Sequence, residues 1–286
     1  MIRSDRQPLS GFDTAFMDIH AALQLSALTD RGLVRTQNED AVRVLPDNGV
    51  ALLADGMGGY RAGEVASRIA VNVCTSLLQQ GLRDFEWAAG DRSGRLSRLL
   101  RDTVIQANAS ICQAGRREPE YAGMGTTLVV AFFCYDRLFV AHVGDSRVYR
   151  LRDGVLVQIT RDHSQVQDQI DAGLITPQQA RHAPNRNLVT RALGVDAALD
   201  VELNQFITRA SDLYLLCSDG LSDMLDDIQI AALLQADAPL EQLGAMLVEQ
   251  ANQAGGLDNV SVVLCRIVSC EPDNPGLLER MLDWVR

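Results

Sequence analysis

Apolar residues along this chain fall into two alternating rhythms between about residue 23 and residue 268. Short β-rich segments at 23–29, 50–54, 126–133, 138–143, 146–151, 155–159, 213–217 and 260–268, some apolar throughout and others alternating, predict strands. Other stretches repeat at helical spacing. In 61–80, Val65, Ile69, Val73 and Leu77 recur every four residues, and Gly81 offers a C-terminal stop. In 96–114, Leu96, Leu100, Val104, Ala107 and Ile111 repeat the pattern, which ends at Gly115. Shorter helices are expected at 164–172, 177–182, 228–235 and 240–254. Between 126 and 159 the turn signals Tyr135-Asp136-Arg137, Gly144-Asp145 and Arg152-Asp153-Gly154 separate four consecutive strands, the spacing of an antiparallel meander. Two long amphipathic helices, many strands and a late helix imply a layered α+β fold. Residues 1–20 carry no pattern and read as a loose arm. Residues 276–286 put Leu277, Leu278, Met281, Leu282 and Val285 on one helical face, which is expected to dock on the domain.

Charge and composition narrow the possible functions. The net charge of −11 is the wrong sign for a phosphate-backbone binder, so nucleic acid is not an expected partner. All 26 basic residues are arginine. Chemistry that needs a lysine amine, such as Schiff bases, the P-loop and the kinase ATP lysine, is therefore excluded. The six cysteines form no C-x-x-C pair and most lie in apolar runs, so they read as buried structural thiols of a reducing cytosol. No apolar run is long enough to span a membrane, and the first twenty residues lack a basic-then-apolar signal pattern. A cytoplasmic location is the expectation.

Four aspartates share one local setting. Asp55 follows the run 50–54 and precedes Gly56-Met57-Gly58-Gly59; Asp145 lies in Gly144-Asp145-Ser146-Arg147; Asp219 follows 213–217 and precedes Gly220; Asp258 follows Gly255-Gly256 and precedes Asn259. Each is expected at a strand end, where a rigid sheet can aim a carboxylate and a neighbouring glycine lets backbone approach closely. Converging carboxylates repel one another unless a cation sits among them, and all-oxygen donors suit Mg²⁺ or Mn²⁺. Asp-Gly is also a common turn signal, and Asp153 is read as a plain hairpin that binds nothing. Arg35-Thr36-Gln37-Asn38-Glu39-Asp40 adds a charged loop whose arginine fork matches a phosphate's oxygens. In it, Glu39 and Asp40 are candidates to hold metal-bound waters.

Taken in order, Arg35, Glu39, Asp40, the Asp55–Gly59 turn, Gly125-Thr126-Thr127, 143–147, Ser218-Asp219-Gly220 and Asp258-Asn259 form a series. It resembles the PPM-type (type 2C) metal-dependent serine/threonine protein phosphatases of the bacterial kind, over roughly 23–268. The resemblance implies an α+β, four-layer α/β/β/α sandwich of two antiparallel sheets flanked by helices, with one phosphatase domain at 21–268. It also implies two Mn²⁺ or Mg²⁺ ions and a third, weaker one. On that reading Asp55 bridges two metals, and Asp219 and Asp258 complete the first site. The Gly56 carbonyl and waters held by Glu39 and Asp40 complete the second. Asp145 joins Asp219 at the third, Arg35 grips the substrate phosphate, and 165–187 is a flap that influences substrate choice. Water activated between the paired ions is then the attacking group, with Arg35, Asp55 and Asp219 central to catalysis. The implied substrates are phosphoserine and phosphothreonine on proteins, opposing a Ser/Thr kinase, and the implied state is a monomer.

Some family members carry histidine in the turn where this chain has Met57, which cannot donate a proton and is read as packing. His163, in Thr160-Arg161-Asp162-His163-Ser164, is read with Asp162 as a structural cluster in which Ser164 starts a helix. His20, His142 and His182 show no ligand spacing. Rival chemistries lack their residues. A cysteine phosphatase needs His-Cys, five residues and Arg. A calcineurin-like enzyme needs histidine-rich motifs, and this chain has only four histidines. A Gly-Asp-Ser-Leu-type esterase built on Ser146 needs a late histidine, and none follows His182. The alternative of another class is a catalytically weak pseudophosphatase that binds partners, which missing carboxylates would favour.

Overall fold

The computed structural model describes residues 23–58, 62–87, 90–181 and 183–269. The expectations for the arm at 1–20 and the helix at 276–286, and for Gly59, Cys270, His20 and His182, fall outside those residues. One five-stranded antiparallel sheet runs β1 (Leu23–Asp30), β12 (Val260–Ile267), β11 (Leu213–Cys217), β8 (Arg147–Arg152) and β9 (Val155–Gln158). The second runs β10 (Glu202–Ile207), β7 (Arg137–Val143), β6 (Leu128–Cys134), β3 (Val50–Ala54) and β2 (Ala41–Leu45). A two-residue ladder joins β4 (Gly56–Met57) to β5 (Gly125–Thr126).

Alternation along the central strands builds three cores. Val50, Leu52 and Ala54 of β3, with Leu128, Val130 and Phe132 of β6, face α1 (Ala62–Arg83) and α2 (Arg92–Arg117). The odd-numbered partners Ala51, Leu53, Val129 and Ala131 point the other way, against Val148, Tyr214, Leu216 and Val263 of the opposite sheet. Tyr149, Leu215, Val262 and Leu264 then face α6 (Asp227–Leu234) and α7 (Leu240–Gln253). A strand covered on both faces reads as an unbroken apolar run, which is why 50–54 and 213–217 show no polar alternation. The layers are helix, sheet, sheet, helix, as expected.

Four local expectations differ from the structure. Both long helices pass through their supposed glycine stops, to Arg83 and Arg117. A Cβ on Gly81 would lie 2.5 Å from Leu99 Cδ1, so this glycine admits the neighbouring helix and does not end its own. The deepest stripe of α1 is Ala66, Ala70, Cys74 and Leu78, one position along from the larger Val65, Ile69 and Val73, because small residues let the helix sit close on the sheet. The predicted strand at 126–133 is two strands broken at Thr127. The expected meander does not close. The chain pairs β6 with β7 and β8 with β9, but between β7 and β8 it crosses from one sheet to the other through Gly144, Asp145 and Ser146. The Asp153-Gly154 hairpin does form as read, with φ of 51° and 78° at its two central residues. The edge strands β2 and β10 were not legible, being short and half polar.

Candidate metal centre

The aspartates meet where the two sheets end. Asp55 follows β3, and its backbone is locked from the neighbouring strand. Its N–H donates to Thr127 Oγ1 (3.0 Å), while its carbonyl accepts from Thr127 N–H (2.9 Å) and from Thr126 Oγ1 (2.8 Å). The Thr127 hydroxyl, which accepts from Asp55 N–H, also shares a hydrogen bond of 2.7 Å with the Ser146 hydroxyl, tying β3 to the crossing that carries Asp145. Asp219 opens the short helix α5 (Asp219–Ser222) directly after β11. Asp258 precedes β12, and its Oδ1 accepts from Asn259 N–H (2.8 Å).

Asn259 fastens the loop from residue 31 to residue 40 onto this edge. Its amide donates to the carbonyls of Arg31 and Gln37, both at 2.9 Å, and its Oδ1 accepts from Glu39 N–H at 2.8 Å. Ser67 of α1 donates to the Glu39 carbonyl at 2.5 Å. Gly56 is hemmed in by the same backbones: a Cβ there would lie 2.2 Å from the Gly63 carbonyl oxygen and 2.5 Å from that of Glu39. Arg35 reaches back across the loop, Nη2 donating to Asp258 Oδ2 at 2.6 Å.

The gathered charge is almost uncompensated. Asp40 is buried with no hydrogen-bond donor on either carboxylate oxygen. The nearby Ser261 and Ser218 hydroxyls are committed elsewhere, to Thr29 Oγ1 and to the Asn259 carbonyl. Burial pushes Asp40 up to about 7 and Asp145 up to about 8, in each case helped by the charge of Asp219. Burial, then Asp223 and Asp258, push Asp219 up to about 6. Burial first, and then Asp40, Asp219, Asp145 and Asp258, hold Asp55 well above the ordinary carboxylate range. Glu39 is raised for the same leading reason. Arg147, beside Asp145, is spent on Asp162, to which it donates three hydrogen bonds of 2.7–3.1 Å. An oxygen-only cluster with orphaned carboxylate oxygens fits a hard divalent cation and lacks the nitrogen and sulfur donors of a zinc site.

The structure therefore brings Arg35, Glu39, Asp40, Asp55, Gly56, Asp145, Asp219 and Asp258 to one edge, while Asp153 sits in its hairpin elsewhere. Met57 pairs with Gly125 and packs, as read. Asp162 and Ser164 are structural as read, Ser164 capping α3 (Gln165–Asp171). Thr127 and Asn259 were named in the motifs without a role. The available signal for Thr127 was a threonine pair interrupting an apolar run. His142 and His163, 21 residues apart in sequence, stack with ring centroids 4.8 Å apart.

A pH dependence follows for the protein without metal. Raised carboxyl values mean that the folded state binds more protons than the unfolded chain, whose aspartates titrate near 3.9. Stability is then lost as pH rises through the folded values of about 6, 7 and 8. His163, lowered by burial, works in the opposite sense below its ordinary 6.5. In EDTA the melting temperature is expected to rise as the pH falls from 8 to about 6.5, and added Mn²⁺ is expected to stabilise most at pH 8, both read by scanning calorimetry. A flat or inverted profile would mean that the carboxylates do not crowd as described.

Comparison with known proteins agrees with this geometry. The family profile described as Protein phosphatase 2C matches residues 34–260, and the chain belongs to that family. It is 43% identical over 249 residues to the serine/threonine protein phosphatase PstP of Mycobacterium tuberculosis, covering 86% of this chain and 45% of PstP. The chain thus spans about half the length of that relative. It is 36% identical over 239 residues to the serine/threonine phosphatase Stp of Listeria monocytogenes, covering 82% of this chain and 92% of Stp. A crystal structure of the PstP catalytic domain in complex with two manganese ions superposes with a TM-score of 0.75 at 40% identity, covering 87% of this chain and 99% of that one.

Proposed function

We propose that this chain is a bacterial metal-dependent protein-serine/threonine phosphatase, its catalytic domain spanning 21–268 with a flap at 165–187. The observation that carries the reading is the gathering of buried Asp40 and Asp145 with half-buried Asp55 and Asp219 at one sheet edge, each carboxyl raised by desolvation and by its neighbours' charge. Folding would not assemble such a cluster unless cations complete it. Asp55, Asp219 and Asp258 would hold the paired ions together with the Gly56 carbonyl, Glu39 and Asp40 would act through water, and Asp145 with Asp219 would hold a weaker third ion. When bound, Mn²⁺ or Mg²⁺ supplies an acidified water and charge to stabilise the phosphoryl oxygens.

The chain's own residues supply placement. The half-exposed Arg35 is held by Asp258 in a pair that water screens, so its fork can turn to a phosphate's oxygens at little cost. A cleft of about 490 Å³ leads from Asp145 and Asp219 along the flap helices α3 and α4 (Pro177–Ala180), room for the peptide flanking the phosphoresidue. The substrates would be phosphoserine and phosphothreonine proteins. No nucleic acid would bind, and among the described residues no helix is long and apolar enough to cross a membrane. A cytoplasmic monomer opposing a Ser/Thr kinase completes the reading. Missing carboxylates would favour the pseudophosphatase alternative, and the sequence carries every one of them.

The test is phosphate release from a phosphothreonine peptide. Turnover is expected with Mn²⁺ or Mg²⁺ and its loss with EDTA. Turnover that persists in EDTA after exhaustive dialysis would contradict the proposal.

A further inference from the structure

The loop that aims Asp145 is gripped by the residue from which the flap departs. His163 N–H donates to the Gly144 carbonyl at 3.0 Å, and His163 Nδ1 accepts the Gly144 N–H at 3.1 Å. Both contacts fall on the residue immediately before Asp145. The His163 carbonyl accepts Thr190 N–H at 2.8 Å, Ser164 bridges Val189, and Gln165 N–H donates to the Leu188 carbonyl. The chain thus leaves for the flap at 163–165 and is sewn to its own return at 188–190.

The proton positions follow from the partners. Because Nδ1 of His163 accepts from Gly144, the neutral ring carries its proton on Nε2, which donates to Glu202 Oε2 at 3.2 Å. Glu202 lies on β10 directly opposite His142 of β7. The His142 ring stacks on that of His163 at an interplanar angle of 13° and donates from Nε2 to the Arg161 carbonyl at 2.9 Å. His142, His163 and Glu202 have ligand atoms within 4.8 Å of one another, the spacing of a cation site. The protons exclude that use. A metal on His163 Nε2 would move the proton to Nδ1, where it would face the Gly144 N–H head-on. Parallel rings also aim their lone pairs side by side and do not make them converge.

We propose that His163, oriented by Glu202, is a positioning residue that sets Asp145 against Asp219 and ties that setting to the base of the flap. The proposal rests on the metal-dependent reading of the site. It assigns the imidazole to a task that an amide oxygen at the Nδ1 position could share and one at the Nε2 position could not.

Mn²⁺ titration calorimetry separates these cases. His163→Asn keeps an acceptor for Gly144 N–H, whereas His163→Gln reaches only towards Glu202. Both lose the ring stack, so both are expected to melt lower by similar amounts. His163→Asn is expected to bind Mn²⁺ within about threefold of wild type, and His163→Gln to weaken the most loosely held ion at least tenfold. Equal binding by the two variants, or weakening that follows the melting temperature alone, overturns the proposal. Should His163→Gln fail to fold, Glu202→Leu replaces it, on a half-buried edge-strand position. That variant is expected to weaken the same ion three- to tenfold, and unchanged binding overturns the proposal there too. Wild-type protein that binds no Mn²⁺ removes the metal-dependent reading itself, an outcome distinct from all of these.

Discussion

Asp219→Asn is expected to lower phosphopeptide turnover about a thousandfold, ~4 kcal/mol of transition-state stabilisation, while raising the melting temperature of the protein in EDTA. The two effects have one cause. Asp219 is a half-buried carboxylate crowded by Asp223 and Asp258, and its charge in turn raises Asp40, Asp55 and Asp145. An isosteric amide removes that repulsion from the metal-free fold and removes an anionic donor from the centre. A variant that is inactive because it is misfolded would melt lower, so the pair of readings separates the explanations. Asp153→Asn is the control. Asparagine tolerates the positive φ of 51° at that hairpin, and neither turnover nor melting temperature should move. Wild-type turnover in Asp219→Asn would remove the residue from the centre.

Arg35→Ala is expected to raise KM for a phosphopeptide at least about tenfold and to lower kcat less. The expected loss in kcat/KM is ~2–3 kcal/mol, the size of a charge-assisted hydrogen bond to phosphate. Arg35 now bonds Asp258 at 2.6 Å with half of its side chain exposed, so the substitution leaves the fold untouched and releases one carboxylate. Mn²⁺ affinity should hold or rise. Arg35→Lys should recover little, since a single ammonium cannot fork across two oxygens. Steady-state kinetics on one peptide series checks both variants. An unchanged kcat and KM would place Arg35 outside the substrate's reach.

Local chemistry was legible in the sequence wherever it repeats at short range. The α2 stripe from Leu96 to Ile111 is buried as its spacing requires. The runs at 50–54 and 213–217 are strands covered on both faces, and the carboxylates at their ends meet. Pairing was not legible, because β7 and β8 look like hairpin partners until the chain switches sheets at Gly144. Gly81 read as a stop because a missing side chain looks the same whether it ends a helix or admits Leu99. Thr127 and Asn259 act through hydrogen bonds to residues 72 and 220 positions away, and no local pattern carries such a partner. The His163–Glu202 contact is also non-local, spanning 39 residues.

Anomalous diffraction at the manganese edge, from crystals grown or soaked in Mn²⁺, asks the central question directly. Two strong peaks are expected within coordination distance of Asp55, with Asp219 and Asp258 on one of them. A refined structure with no anomalous density among those three carboxylates would contradict the account.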